Sequence, residues 1–136
     1  MLVDANVWSE LTRPRPDAAV VAFLHDNREE LYLSTIVMAE VEFGIANAPD
    51  PVRRERLIEF ADRLLLRCHD RVLAPDFETA AVWGRLKFEL RSTGQRIEDI
   101  DLLIAAQAIA AGMPLVTRNV SDMARTGARI INPWQP

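Results

Sequence analysis

The chain has 136 residues, 49% of them hydrophobic and 26% charged, with a formal net charge of −4, enough for one buried core and too little for two. That balance excludes a wholesale basic surface for gripping duplex DNA, so any nucleic-acid site must be local; no apolar run approaches the roughly 18 residues of a membrane span, and no leader pattern opens the sequence. Cys68, the only cysteine, excludes an internal disulfide and suits the cytoplasm, and no His/Cys cluster points to zinc.

The first strand runs Met1-Leu2-Val3 and ends on a carboxylate, Asp4, followed by an amide, Asn6; taken alone, both also suit a plain turn. Asp17, after Pro16, is the predicted N-cap of an apolar helix with Val20, Val21 and Leu24. Leu31-Tyr32-Leu33 reads as a short strand, and Ser34 or Thr35 then caps a helix running to about Asn47. Asp50-Pro51 joins an N-cap to a proline at the first helical position and opens a helix with Leu57, Ile58, Ala61, Leu64 and Leu65 on one side. Val72-Leu73 is the next strand, and Asp76 caps a helix through Phe77, Ala80, Ala81, Gly84 and Phe88, stopped by Thr93-Gly94. A helix apolar almost all round spans Asp99, its expected N-cap, to Ala111 and is closed by Gly112. Leu115-Val116-Thr117 returns as a strand, and Ile130-Ile131 adds an edge strand. The alternation implies a single α/β domain over residues 1–136, a central parallel sheet flanked by helices, with ligands expected at the carboxyl ends of the strands.

Acidic residues recur where their own elements should be dry. Asp4 ends a strand. Glu40 shares a helical face with Val37, Val41 and Gly44, whereas Glu42 points about 200° away around the helix. Asp101 stands in the first turn of the late apolar helix, where an acid also stabilises the helix dipole without further role. Asn119 and Asp122 follow the strand at Leu115. Carboxylates gathered without a cation repel and raise one another's pKa. An all-oxygen donor set favours Mg²⁺, with Mn²⁺ as substitute, over zinc.

The stretches MLVDANVWSEL, STIVMAEVEFGI and DLLIAAQAIAAGMPLVTRNVSDM, in that order and spacing, resemble the PIN-domain ribonucleases, specifically the VapC- and FitB-like toxins of bacterial toxin–antitoxin systems. The resemblance implies a PIN-like fold and a Mg²⁺-dependent endoribonuclease. Asp4, Glu40 and Asp101 match the family's catalytic, metal-holding acids, Asn119 and Asp122 its post-strand segment, with Asp122 a further metal ligand. Asn6 is expected to orient Asp4 or a water. One departure is visible: many members carry a hydroxyl residue where this chain has Ala5. Arg13, Arg15 and Arg118 are placed to contact RNA phosphates, although a solvated-surface role explains them equally simply. The resemblance also implies a VapB-like antitoxin partner, a homodimer, and contact with DNA only through the antitoxin.

Two other readings stay open. An aspartate phosphatase or phosphoacceptor also starts from an acid at a strand end, but Lys87, the only lysine, falls inside a helix away from the strand ends. A non-catalytic binding module would have no use for Asp4, Glu40 and Asp101 together. Trp8 and Tyr32 can stack on bases or pack in the core.

Overall fold

The computed structural model describes residues 1–135. In chain order it contains β1 (Leu2–Val3), α1 (Ala5–Trp8), a 3-10 turn (Ser9–Thr12), α2 (Ala18–Asp26), β2 (Tyr32–Ser34), α3 (Thr35–Ala46) and α4 (Pro51–Cys68). There follow β3 (Val72–Leu73), α5 (Phe77–Ser92), α6 (Asp99–Ala110), β4 (Leu115–Val116), α7 (Val120–Ala124) and β5 (Ile130–Ile131). The strands form one sheet in the order β3-β2-β1-β4-β5, with every neighbouring pair parallel. The chain steps outward from β1 to β3, then crosses back to β4. Right-handed crossovers place the helices of those two excursions on opposite faces. The order reverses between β1 and β4, so their carboxyl ends open onto the crevice where such sheets bind ligands.

Local chemistry explains the helix starts. Asp17 accepts from the Ala19 and Val20 amides, Ser34 from Ile36, Asp50 from Arg53 and Asp76 from Thr79, each in extended backbone just before its helix. Two helices end alike. At Gly94 (φ 70°) the Gln95 amide donates to the Leu90 carbonyl at 2.8 Å, and at Gly112 (φ 65°) the Met113 amide donates to Ala108 at 2.9 Å. Both are Schellman closures, in which a left-handed residue without a Cβ lets the chain turn back sharply.

The main core joins Leu2, Val3, Leu33, Leu115 and Val116 of the sheet to Val7, Trp8, Val20, Leu24, Val37, Leu64, Cys68 and Ile104. Trp8 and Cys68 are thus core residues, and Tyr32 packs against them. A second cluster sits between α5 and α6, where Val82, Leu86 and Leu90 meet Leu102 and Ala106. Gln107, the one amide of buried α6, accepts from the Ser34 hydroxyl and donates to the Leu73 carbonyl at 3.3 Å, tying α6 to the ends of β2 and β3.

Two sequence expectations need correcting, and a third helix gains a buried face that its sequence left open. On α5 the buried face is Thr79, Val82, Leu86 and Leu90, while Phe77 (86% exposed) and Phe88 (73%) point outward. Both faces of α5 carry apolar residues, so periodicity alone does not choose between them. On α4 the buried residues are Ala61, Leu64 and Cys68, with Ile58 and Leu65 exposed. Glu98, not Asp99, precedes the first turn of α6, and Asp99 is already helical, its carboxylate engaged by Lys87.

Candidate active site

Asp4 stands where β1 stops. Its amide donates to the Val116 carbonyl at 2.9 Å, continuing the pairing of β1 with β4, while its side chain caps α1. Oδ1 accepts from the Ala5 amide at 2.7 Å, and Oδ2 accepts from Asn6 Nδ2 at 2.9 Å and from Thr117 Oγ1 at 2.7 Å. The residue is only 4% exposed. Burial raises its pKa despite those three donors, because removing a carboxylate from water favours its neutral form.

Thr117 is the residue that sequence reasoning missed. It was read merely as the end of a strand, yet its buried hydroxyl donates to Asp4 and accepts from Asn6 Nδ2 at 3.1 Å and from the Asn119 amide at 3.1 Å. Its only signal was position: a hydroxyl directly after the apolar pair Leu115-Val116. Asn6 completes the clasp through Oδ1, which accepts from the Arg118 amide at 3.1 Å. With Ala5 lacking a hydroxyl, the one beside Asp4 comes from Thr117, directly after β4.

Glu40 lies on α3, but not on a dry face as its spacing suggested. The second half of α3 emerges from the core, so Val37 is buried while Glu40 is open to solvent. Its carboxyl is nonetheless partly desolvated, and that burial, followed by the negative charges of Asp4 and Asp101, pushes its pKa up to about 7. Asp101, in the first turn of α6, is raised first by partial burial and then by Asp4, Asp122 and Glu98. The structure therefore brings Asp4, Glu40 and Asp101 within one another's electrostatic reach, with Asp122 acting on Asp101. Asp122 itself lies in the first turn of short α7, paired with Arg125, and accepts from Asn119 Nδ2 at 3.4 Å.

The arginines divide. Arg13 is held 3.1 Å from Glu10, a second missed residue: only 3% exposed, it also accepts from the Asp17 amide at 2.9 Å and anchors the turn into α2. Arg118 lies over the Trp134 ring at 5.1 Å. Arg15 is exposed and enters no ion pair among the described residues. Lys87 is less remote than its helix suggested, because with Asp99 it lines a groove that reaches Asp122.

The donor set offers only oxygens, and the raised pKa of these partly buried, neighbouring acids marks a charge that a divalent cation would stabilise. Among the described residues no three carboxylate, imidazole or thiol groups converge closely enough to enclose an ion by themselves. Mg²⁺ fits such a site because it keeps several waters and needs few direct protein ligands.

The family model of the PIN domain matches residues 1–128. The chain belongs to the PIN-domain family. This PIN-domain chain is 38% identical to the VapC ribonuclease Y4jK of Sinorhizobium fredii, over 100% of its own length and 99% of that protein's. It is 31% identical to the toxin FitB of Neisseria gonorrhoeae, covering 98% of each. Among solved structures it is similar to FitAcB from Neisseria gonorrhoeae, with a TM-score of 0.91 at 31% identity over 99% of both chains. Its parallel sheet with flanking helices is thus the PIN-domain fold. Among the described residues, no helix is long and apolar enough to cross a membrane.

Proposed function

We propose that this PIN-domain chain is a Mg²⁺-dependent endoribonuclease, the toxin of a toxin–antitoxin pair, with Mn²⁺ as a substitute ion. The observation that carries the reading is the gathering of Asp4, Glu40 and Asp101 around one pocket, where burial first and the charge of Asp4 second hold the carboxyls of Glu40 and Asp101 above their ordinary pKa. Its relation to a VapC ribonuclease and to the toxin FitB supports the substrate and the role.

Asp4, Glu40 and Asp101 would hold the cation directly or through waters, with Asp122 as a further ligand beside Asp101. When bound, a divalent cation reverses the sign of the acidic pocket toward a phosphodiester and makes water a better nucleophile. The chain's own residues supply the positioning. Thr117 and Asn6 fix the Asp4 carboxylate in one rotamer, and Asn119 orients Asp122. Glu40, open to solvent, is placed to reach the cation through one of its waters. Asp4 is a poor phosphoacceptor, being nearly inaccessible to an incoming phosphorus, whereas Oδ1, with a single donor, keeps a lone pair for a cation or its water.

For the antitoxin, the groove beside the 3-10 turn and α4 offers Leu11, Leu57, Phe60 and Leu64 with arginines on its rim. It suits an amphipathic tail carrying acidic residues, and an arginine on that tail reaching Asp4, Glu40 or Asp101 would compete with the cation. The outward stripe Phe77, Ala81, Gly84 and Phe88 suits a homodimer.

The test is to incubate purified protein with cellular RNA in EDTA, then with Mg²⁺ or Mn²⁺, and to map the new 5′ ends. Cleavage that needs the cation and vanishes in Asp4→Asn supports the reading. Cation-independent cleavage, or cleavage retained by Asp4→Asn, overturns it.

A further inference from the structure

Beside the acidic pocket, the end of α5, the Gly94 turn and the start of α6 enclose an open groove of about 880 Å³. Its charges are not balanced along its length. Asp99 is neutralised by Lys87, and Asp122 by Arg125. Arg91 and Arg96 also line it, both exposed, and neither joins an ion pair among the described residues; Glu98, likewise exposed and unpaired there, leaves the groove with one net positive charge. Between the arginines and the α6 end, half-buried Ile97, over the buried Leu90 and Leu102, gives the groove an apolar component. The Schellman closure at Gly94 reverses the chain, so the two arginines, on either side of it, face one groove instead of continuing along one helix.

An acidic chain that cleaves RNA must still hold a polyanion, and a strand bound only at the cleaved phosphate would have little affinity. Guanidinium pairs grip phosphate oxygens in a fork, and apolar surface beside them accepts a ribose or an unstacked base. We infer that the groove between α5 and α6 is a subsite for single-stranded RNA, in which Arg91 and Arg96 bind a backbone phosphate flanking the one that is cut. The inference rests on the ribonuclease reading and adds to it the path of the strand, from the acids at Asp101 and Asp122 toward the end of α5. Contacts of this kind place the strand without reading its bases.

The experiment uses the full chain and a fluorescent single-stranded RNA oligonucleotide spanning one mapped cut. Affinity is measured by anisotropy in EDTA, and kcat and KM in Mg²⁺, for wild type, Arg91→Ala, Arg96→Ala, the double Arg→Lys variant and Arg85→Ala, a solvent-facing control on the same helix. Each groove variant is expected to weaken binding and raise KM by about tenfold. Its kcat should stay near wild type and its cut site unchanged, and the slope of log affinity against log salt should fall by about 0.7 per lost contact. The lysine variant should recover much of the affinity, because the charge is retained, and Arg85→Ala should match wild type. Equal affinity in wild type and both alanine variants overturns the subsite, as does a fall in kcat with KM unchanged. A wild type that binds RNA without cutting it refutes the ribonuclease reading, while the anisotropy arm still decides the groove.

Discussion

Thr117 Oγ1 donates a 2.7 Å hydrogen bond to Asp4 Oδ2, joining the carboxyl ends of two adjacent strands across 113 residues of sequence. The hydroxyl is fully engaged, because it also accepts from Asn6 and from the Asn119 amide. Replacing it with the isosteric Val leaves Asp4 Oδ2, Asn6 Nδ2 and the Asn119 amide each one partner short. Thr117→Val should fold but cleave RNA about tenfold to a hundredfold more slowly, the usual range for a residue that orients a metal-holding carboxylate. Thr117→Ser should restore most of the rate, and equal rates in Val and wild type would remove Thr117 from the clasp.

Neutralising the acids separates chemistry from folding. Asp4→Asn, Glu40→Gln and Asp101→Asn should each lower cleavage by at least about a hundredfold. In EDTA, Glu40→Gln and Asp101→Asn should melt at or above the wild-type temperature, because they remove repulsion at partly open positions. Asp4→Asn should melt lower, because an amide nitrogen would face donors that need an acceptor. Glu42→Gln should cut RNA at the wild-type rate, and a large loss there would place the wrong face of α3 in the site.

The pH dependence of stability has a definite sign. Folded Glu40 keeps its proton to about 7, whereas an unperturbed glutamate loses it near 4.5. The folded state therefore binds more protons across that window, and stability falls as pH rises through it. Asp4 and Asp101 are shifted the same way. Melting of the EDTA-treated protein from pH 5 to 8 should show this decline, with Glu40→Gln flattening it. Mg²⁺ should raise the melting temperature more at pH 8 than at pH 5, since it binds the ionised carboxylates. A metal-free protein whose stability rises from pH 5 to 7 would contradict the site electrostatics.

The outward aromatics of α5 predict an assembly state. Phe77 and Phe88 are among the most exposed large apolar side chains, and with Ala81 and Gly84 they form one stripe along the helix. Light scattering should give twice the 15.3 kDa of one chain. Phe77→Asp with Phe88→Asp should reduce that to the single-chain mass without loss of helix content. A wild type that is monomeric at micromolar concentration would leave the stripe without this role.

What could be read from the sequence was mostly what is local. Asp17, Ser34, Asp50 and Asp76 cap helices using amides two or three residues away, so each carries its own signal. Asp4 and Asp101 stood out because an acid interrupts an apolar run. Thr117 did not, since a threonine at a strand end is unremarkable until β1 lies beside it. Glu10 was hidden for the same reason, its burial depending on how the turn folds onto Asp17 and Arg13. The buried face of α5 was not legible because Phe77, Ala81, Gly84 and Phe88 are as periodic as Val82, Leu86 and Leu90; only α6, packed on one side, distinguishes them. The groove beside Gly94 requires two helices and the turn between them, and no single stretch announces it.

The central place of β1 also has a temporal side. It is the first strand to leave the ribosome, but one of its two neighbours, β4, is made more than a hundred residues later. Until β4 docks, Asp4 has neither the Val116 carbonyl to align its backbone nor Thr117 to hold its carboxylate. A growing chain therefore carries the acids of the pocket without their arrangement. Such long-range parallel pairing is slow to form, so the pocket takes its shape only after the β4 segment has been made.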